Sequence, residues 1–162
     1  MRKCFLFAAV VAALTAPAAV HAQSVSTGIG PRIGLSIDPD QIVFGGQLVI
    51  GEIAPDVTFN PNLEFGFGDD ITVIALNLDG QYHFRIEGSS WRPYLGFGMG
   101  INFIEFDRPA PFDDVSETEV GANLIAGAGV PTSSGNRFFA EARFGIGDIP
   151  DFKLMAGWLF AL

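Results

Sequence analysis

The sequence predicts an all-β protein, an eight-stranded antiparallel up-and-down transmembrane β-barrel. Three observations predict this fold. After residue 22 the chain divides into eight segments in which residue character alternates, no segment shows helical periodicity, and one face of each segment is apolar while the other carries polar residues and many glycines. Period-two alternation is the pattern of a β-strand whose two faces meet different surroundings.

Residues 1–22 have the organisation of a secretory signal peptide. A positively charged start and an apolar run are followed by Val20-His21-Ala22, which places small residues at the two positions that signal peptidases require before Gln23. The apolar run is too short for a membrane-spanning helix. We therefore expect cleavage after residue 22, which leaves residues 23–162 as a single barrel domain.

Composition excludes several classes of function. Cys4 is the only cysteine and lies in the signal peptide, so the processed chain has no disulfide, thiol chemistry or cysteine metal site. Without Arg2 and Lys3, seven basic residues remain against 18 acidic ones, a net charge of −11. Nucleic acid is an unsuitable ligand at that charge, because phosphate binding needs the opposite sign. No cofactor is predicted.

The first four predicted strands are separated by turn-forming residues. Asp38-Pro39-Asp40 follows the first strand, Pro55 the second, and Gly68-Asp69-Asp70 the third. Pro61 falls inside the third strand, where it lacks the N–H of a ladder hydrogen bond. We expect either a bulge there or a strand that begins after Pro61. The four predicted strands cover residues 27–37, 41–51, 56–67 and 73–86.

The last four predicted strands are bounded in the same way. Gly88-Ser89-Ser90 precedes the fifth, the segment 106–118 with its two prolines separates the fifth from the sixth, and residues 147–150 precede the eighth. The eighth strand alternates over its whole length and is expected to close the barrel against the first. These four predicted strands cover residues 91–105, 119–130, 137–146 and 151–162.

Whether the apolar face points into the barrel or away from it determines whether the barrel lies in water or in a membrane. An interior bounded by eight strands is just wide enough for side chains, and the bulky apolar class would overfill it. We therefore expect this class to face lipid, since closed barrels are the β architecture that spans a bilayer. The register also sorts the aromatic rings into two belts. One belt contains Phe59, Tyr82, Phe84, Trp91, Phe138, Trp158 and Phe160, and the other contains Phe44, Phe65, Phe67, Phe103, Phe144 and Phe152.

The signal peptide, eight strands, short turns and closing residues Trp158-Leu159-Phe160-Ala161-Leu162 resemble a known family. The chain is similar to the small eight-stranded bacterial outer-membrane barrels of the outer membrane protein A transmembrane-domain and outer membrane protein X type. The resemblance implies location in the cell outer membrane, among lipid and lipopolysaccharide. It also implies that the barrel-insertion machinery recognises the last strand through Trp158, Phe160 and Leu162, although the family usually ends in Phe.

We assign six charged residues of the inward-facing parity to the interior of the barrel, three of each sign. A charge in a low-dielectric lumen is costly unless it is paired and hydrogen-bonded. We therefore expect an internal ion-pair network that plugs the barrel, with a narrow polar conduit or gated pore as the alternative. The six residues are Arg32, Glu64, Asp79, Glu141, Arg143 and Lys153.

The segment 106–118 is the predicted surface contact. Asp107, Asp113 and Asp114 offer hard oxygen ligands beside an apolar ring, Phe112. Such carboxylates suit divalent cations that bridge lipopolysaccharide, or a basic partner. The alternative is a set of solvated loop tips.

No catalytic or metal site is predicted. His83 is the only histidine after cleavage, it lies on the inward parity, and no serine lies near its height. The sequence thus predicts a non-enzymatic integral outer-membrane protein with a structural or surface-facing role. The alternatives are a small porin or channel, a soluble lipocalin-like ligand-binding barrel and, last, a membrane enzyme.

Overall fold

The computed structural model describes residues 27–106 and 115–162. The predicted signal peptide and all four predicted surface-contact residues lie outside these ranges: Asp107, Phe112, Asp113 and Asp114. Within the described ranges, no helix is long and apolar enough to cross a membrane.

The described residues form a closed barrel of eight strands, each antiparallel to its neighbours and hydrogen-bonded in chain order. This confirms the predicted all-β, up-and-down architecture. The strands are β1 (Gly28–Ile37), β2 (Gln41–Ala54), β3 (Val57–Gly68), β4 (Ile71–His83), β5 (Arg92–Phe106), β6 (Val115–Pro131), β7 (Arg137–Gly147) and β8 (Phe152–Ala161).

The barrel closes where β8 pairs with β1, from Gly28 opposite Ala161 to Ile37 opposite Phe152. The Leu162 N–H also donates to the Thr27 carbonyl, 3.0 Å away. We call this end of the barrel the terminal mouth; it includes the turns 55–56, 84–91 and 132–136. The opposite end, with the turns 38–40, 69–70 and 148–151, is the acidic mouth.

Two strands are longer than the alternation predicts. β2 continues to Ala54 because its pairing with β3 shifts register at Ile50/Glu52 and again at Glu52/Ala54, so residues predicted as a turn stay in the ladder. β6 begins at Val115 rather than residue 119, because its pairing with β5 continues out to Phe106. That extension carries Glu117 on one face and Ser116 and Thr118 on the other, so no alternation marks it as a strand.

Neither expectation for Pro61 is correct. β3 runs through Pro61, and its register with β2 is the same before and after it: Gln47 pairs with Asn62 and Ile50 with Phe59. Only the two intervening pairs are missing from that ladder, while Pro61 stays paired with Leu78 of β4. The closed barrel therefore tolerates the missing N–H as a local gap on one side of the strand.

The two faces of the sheet have the predicted orientation. Apolar side chains point outward, with Ile33 60%, Phe97 57% and Leu154 54% exposed. Asp79 and Arg143 on the other face are both fully buried. The interior also contains large apolar side chains that the sequence analysis did not assign a role, because inward glycines leave room for them. Examples are Val43, Val73, Ile125, Phe139, Met155 and Leu159.

Outward aromatic rings contact one another near each end. At the acidic mouth Phe44 stacks on Phe67 with ring centroids 5.2 Å apart, and Phe144 lies 5.2 Å from Phe152. Near the terminal mouth, Tyr82 and Phe84 meet edge to face at 5.0 Å. The rings are thus concentrated toward both ends of the barrel.

Candidate functional site: the charged lumen

The structure brings all six predicted lumen charges together. They come from five strands: Arg32 from β1, Glu64 from β3, Asp79 from β4, the pair Glu141 and Arg143 from β7, and Lys153 from β8. All six are at most 4% exposed. Because three are cations and three are anions, the cluster is neutral when every group is ionised.

Arg143 and Asp79 form the central pair. Both terminal guanidinium nitrogens of Arg143 donate to the carboxylate of Asp79, Nη1 to Oδ2 at 2.8 Å and Nη2 to Oδ1 at 3.0 Å. This fork-to-fork geometry is the strongest form of charge-assisted hydrogen bond between side chains. It links β7 to β4 across the lumen.

Glu141 accepts hydrogen bonds at both carboxylate oxygens. Oε1 accepts from Arg32 Nη2 at 2.5 Å and from Arg143 Nη1 at 3.1 Å. Oε2 accepts from the Tyr94 hydroxyl at 2.8 Å and from Gln81 Nε2 at 3.4 Å. This carboxylate therefore joins the two arginines into one network.

Glu64 extends the network toward the acidic mouth. Lys153 Nζ lies 2.6 Å from its Oε2, and Arg32 Nε lies 3.2 Å from its Oε1. Arg32 also donates from Nη1 to Gln47 Oε1 at 2.9 Å. Each of the three buried cations thus contacts at least one buried carboxylate, which offsets the cost of removing it from water.

An amide chain supports the central pair from one side. Asn123 donates to Asn77 at 3.3 Å, Asn77 to Asn62 at 2.9 Å, and Asn62 to Asp79 Oδ2 at 2.8 Å. The parity of the strands assigned these amides to the interior, but it did not show that they form a chain ending on Asp79.

Gly98 of β5 makes room for the central pair. It lies opposite Asp79 in the β4–β5 ladder, and a Cβ atom there would lie 1.9 Å from Asp79 Oδ1. No side chain can occupy that space while the carboxylate stays in place. This glycine is therefore part of the site, and its position opposite an inward carboxylate is the only sequence signal for it.

An apolar layer separates the network from the terminal mouth. It consists of Val49, Phe139 and Leu159, each at most 4% exposed. The Arg32 guanidinium carbon lies 5.9 Å from the centroid of the Phe139 ring, a distance compatible with a cation–π contact.

His83 lies at the terminal mouth rather than in the charged network. Its Nε2 is 2.9 Å from the Thr58 hydroxyl, and its ring centroid is 5.3 Å from that of Tyr94. Thr58 also accepts a hydrogen bond from Asn60 Nδ2 at 3.0 Å. The hydroxyl beside His83 thus belongs to a threonine on the neighbouring strand, which the search for serine did not consider.

The structure describes other acidic residues at the acidic mouth. Asp38, Asp40, Asp69, Asp70, Asp148 and Asp151 lie in or beside its three described turns. Within residues 27–106 and 115–162, no group of three or more His, Cys, Asp or Glu side chains is arranged to hold a metal ion. The predicted cation ligands of segment 106–118 fall outside the described residues and stay a prediction.

The predicted barrel-closing residues lie at the terminal mouth. Trp158 of β8 pairs with Phe138 of β7, and Phe160 pairs with Ile29 of β1. Trp158 is half-buried, whereas Phe160 and Leu162 are exposed. Recognition of these residues by insertion machinery stays a prediction.

Solved structures with this architecture include two bacterial barrels. The N-terminal β-barrel domain of Pseudomonas aeruginosa OprF is 20% identical, with a TM-score of 0.68 over 83% of this chain and 97% of that domain. Neisserial surface protein A is 14% identical, with a TM-score of 0.65 over 84% of this chain and 96% of that one. No family model and no curated protein matches the sequence. The chain therefore has the fold of the small eight-stranded outer-membrane barrels that its sequence resembles.

Proposed function

We propose that this chain is a non-enzymatic integral protein of the bacterial outer membrane, with a lumen closed to solutes and a structural or surface-facing role. The observation that carries the proposal is the combination of an outward apolar face with a neutral, interconnected ion-pair network in the lumen. The terminal mouth would face the periplasm and the acidic mouth the exterior.

The outward face supports a location in lipid. Monomeric soluble proteins rarely expose continuous apolar patches larger than a few hundred Å². Here outward residues on every strand are large and apolar, and several are more than half exposed. Rings such as Phe44 and Phe67 at one end and Tyr82 and Phe84 at the other suit the two membrane interfaces. A lipocalin-like soluble barrel would instead bury its apolar class in the lumen.

The interior supports a closed lumen. An eight-stranded barrel has room for little more than its own side chains. Arg143, Asp79 and Glu141 occupy the middle of that space, and the Val49–Phe139–Leu159 layer lies between them and the terminal mouth. A small porin would need a continuous water-filled path past both.

Membrane location is tested by fractionation. We expect the protein to stay in the membrane pellet after carbonate extraction and to migrate faster on gels in detergent before heating than after. Retention excludes the soluble barrel, and heat-dependent mobility is typical of a folded membrane barrel. Release into the carbonate wash would overturn this part of the proposal.

The closed lumen is tested separately in planar lipid bilayers. We expect the purified protein to insert without producing a steady single-channel conductance. A reproducible conductance that follows insertion would instead identify a small porin or channel.

The surface-facing role is assigned to Asp107, Asp113, Asp114 and Phe112. We expect the triple variant Asp107→Asn, Asp113→Asn and Asp114→Asn to reduce Mg²⁺-dependent association with lipopolysaccharide, because three oxygen ligands lose their charge. The matched control is Asp69→Asn with Asp70→Asn, which removes charge from another turn of the same mouth. Equal association of the triple variant and the unmodified protein would remove this role from the segment.

A further inference from the structure

Among residues 27–106 and 115–162, two arginines at the terminal mouth have no acidic partner. The structure describes six basic residues, and four of them form ion pairs: Arg32, Arg85, Arg143 and Lys153. Arg92 and Arg137 form no ion pair or side-chain hydrogen bond within the described residues. This is unexpected in a chain with 18 acidic and nine basic residues.

The two unpaired arginines face the same cavity. Arg92 is the first residue of β5 and Arg137 the first residue of β7, and both line a cavity with His83 and Tyr94. Both are half-buried, and two like charges that line one cavity repel each other. Gly129 belongs to β6, the strand between β5 and β7. It pairs with Arg92 in the β5–β6 ladder, and a Cβ atom added to Gly129 would lie 2.8 Å from the Arg137 Cδ.

The described acidic residues of the terminal mouth form no ion pair with these two arginines. Residues 1–26, which precede the terminal mouth, contain no Asp or Glu. The acidic residues Asp107, Asp113 and Asp114 fall between Phe106 and Val115, which both lie at the acidic mouth. Glu52 and Asp56 contact Arg85 at 3.6 and 2.5 Å. Glu87, in the turn 84–91, lines a separate surface cavity with Arg92 but forms no ion pair within the described residues.

We propose that Arg92 and Arg137 form a binding site for a phosphate-type oxyanion at the terminal mouth. Guanidinium forks match the geometry of phosphate oxygens, and a half-buried setting strengthens such charge-assisted hydrogen bonds. One anion held by both arginines removes the repulsion between them. The phosphate comes either from a free inorganic ion or from a phospholipid headgroup at the adjoining membrane interface.

The cavity limits where the anion binds. Its volume is about 10 Å³, roughly one water, and its walls include Val49, Phe139 and Leu159. An oxyanion does not fit beneath the arginines, and the apolar layer blocks a deeper position. It binds on the solvent side of the two guanidinium groups, so the site is a rim site and not an entrance to a channel.

The test follows the Nε–Hε signals of the arginines by NMR in the folded protein. In maltoside micelles with about 150 mM NaCl, where non-specific attraction is largely screened, inorganic phosphate is titrated. We expect saturable shifts at Arg92 and Arg137 and none at Arg85. The Arg92→Gln/Arg137→Gln variant should bind phosphate at least about tenfold more weakly, whereas Arg85→Gln should bind phosphate like the unmodified protein.

A second arm distinguishes the source of the phosphate. The protein is transferred from maltoside micelles into phosphatidylglycerol-containing vesicles without free phosphate. Shifts at the same two arginines only on this transfer assign the headgroup, whereas shifts with inorganic phosphate in micelles assign a free ion. Absence of shifts at Arg92 and Arg137 in both arms overturns the proposal. Because these signals are read in the unmodified protein, the result stands even where the double variant fails to fold, and the micelle arm does not depend on membrane location.

Discussion

At the scale of single residues, the stability of the barrel interior depends on buried ion pairs whose members also contact one another. Arg143 donates to Asp79 through two nitrogens and also to Glu141. Removing one member of a buried pair leaves an uncompensated charge, whereas removing an exposed pair costs little. Stability should therefore respond very differently to arginines that look alike in the sequence.

We expect Arg143→Met to lower the free energy of unfolding by about 3–5 kcal/mol, because Asp79 loses its cation in a buried site. The matched control, Arg85→Met, should cost at most about 1 kcal/mol, since its side chain is 47% exposed. Urea unfolding in lipid vesicles, followed by tryptophan fluorescence, measures both. Adding Asp79→Asn to Arg143→Met should restore part of the loss. Equal losses for Arg143→Met and Arg85→Met would contradict a coupled network.

Strand parity could assign the six charges to the lumen, but it could not assign their partners. Arg143 and Asp79 are 64 residues apart, and their meeting depends on the tilt and stagger of strands around the ring. Arg92 and Arg137 have the inward parity too. The predicted strand starts at residues 91 and 137 already place both at one mouth. Parity could not show that neither forms an ion pair within the described residues, because pairing depends on side chains from several strands.

At the scale of the strand, glycines determine which inward side chains fit. The Asp79 carboxylate occupies the space where a Cβ on Gly98 would lie, whereas a Cβ on Gly80 would meet nothing closer than the Phe97 carbonyl oxygen, at 3.8 Å. The two glycines lie on neighbouring strands, Gly98 on the inward face and Gly80 on the outward face, so only Gly98→Ala places a methyl group against a lumen carboxylate. They therefore form a natural pair of test and control.

We expect Gly98→Ala to reduce the free energy of unfolding by about 1–3 kcal/mol more than Gly80→Ala, because the new methyl group displaces the Asp79 carboxylate from Arg143. The same substitution in an Asp79→Ala background should cost much less, since the obstructing carboxylate is absent. Urea unfolding of the four variants measures the coupling. Additive losses would show that Gly98 does not act through Asp79.

Strand existence and order could be predicted from the alternation, and the errors occur where the alternation ends. β2 extends through two register shifts, and β6 extends into a polar stretch where both faces carry hydrophilic residues. Pro61 could not be assigned from the sequence, because a break in one ladder is compatible with an unchanged register when the other ladder is continuous.

At the scale of the whole molecule, the barrel contains two different obstacles along its axis. The ion-pair network, centred on Glu141 and the two arginines that it joins, occupies the middle. The apolar layer of Val49, Phe139 and Leu159 lies toward the terminal mouth. An ion has to pass both, so each should be sufficient to keep the lumen closed.

This arrangement predicts the conductance of three variants in planar bilayers. Phe139→Ala alone leaves the charged network in place, and Arg32→Ala/Glu141→Ala leaves the apolar layer, so we expect neither to conduct. The combined triple variant removes side chains from both levels and should give a small, steady conductance, while Phe97→Ala on the outward face serves as the control. Conductance from Phe139→Ala alone would mean that the network is no barrier to ions. A silent triple variant that is shown to be folded by its heat-dependent gel mobility would mean that other lumen side chains close the path.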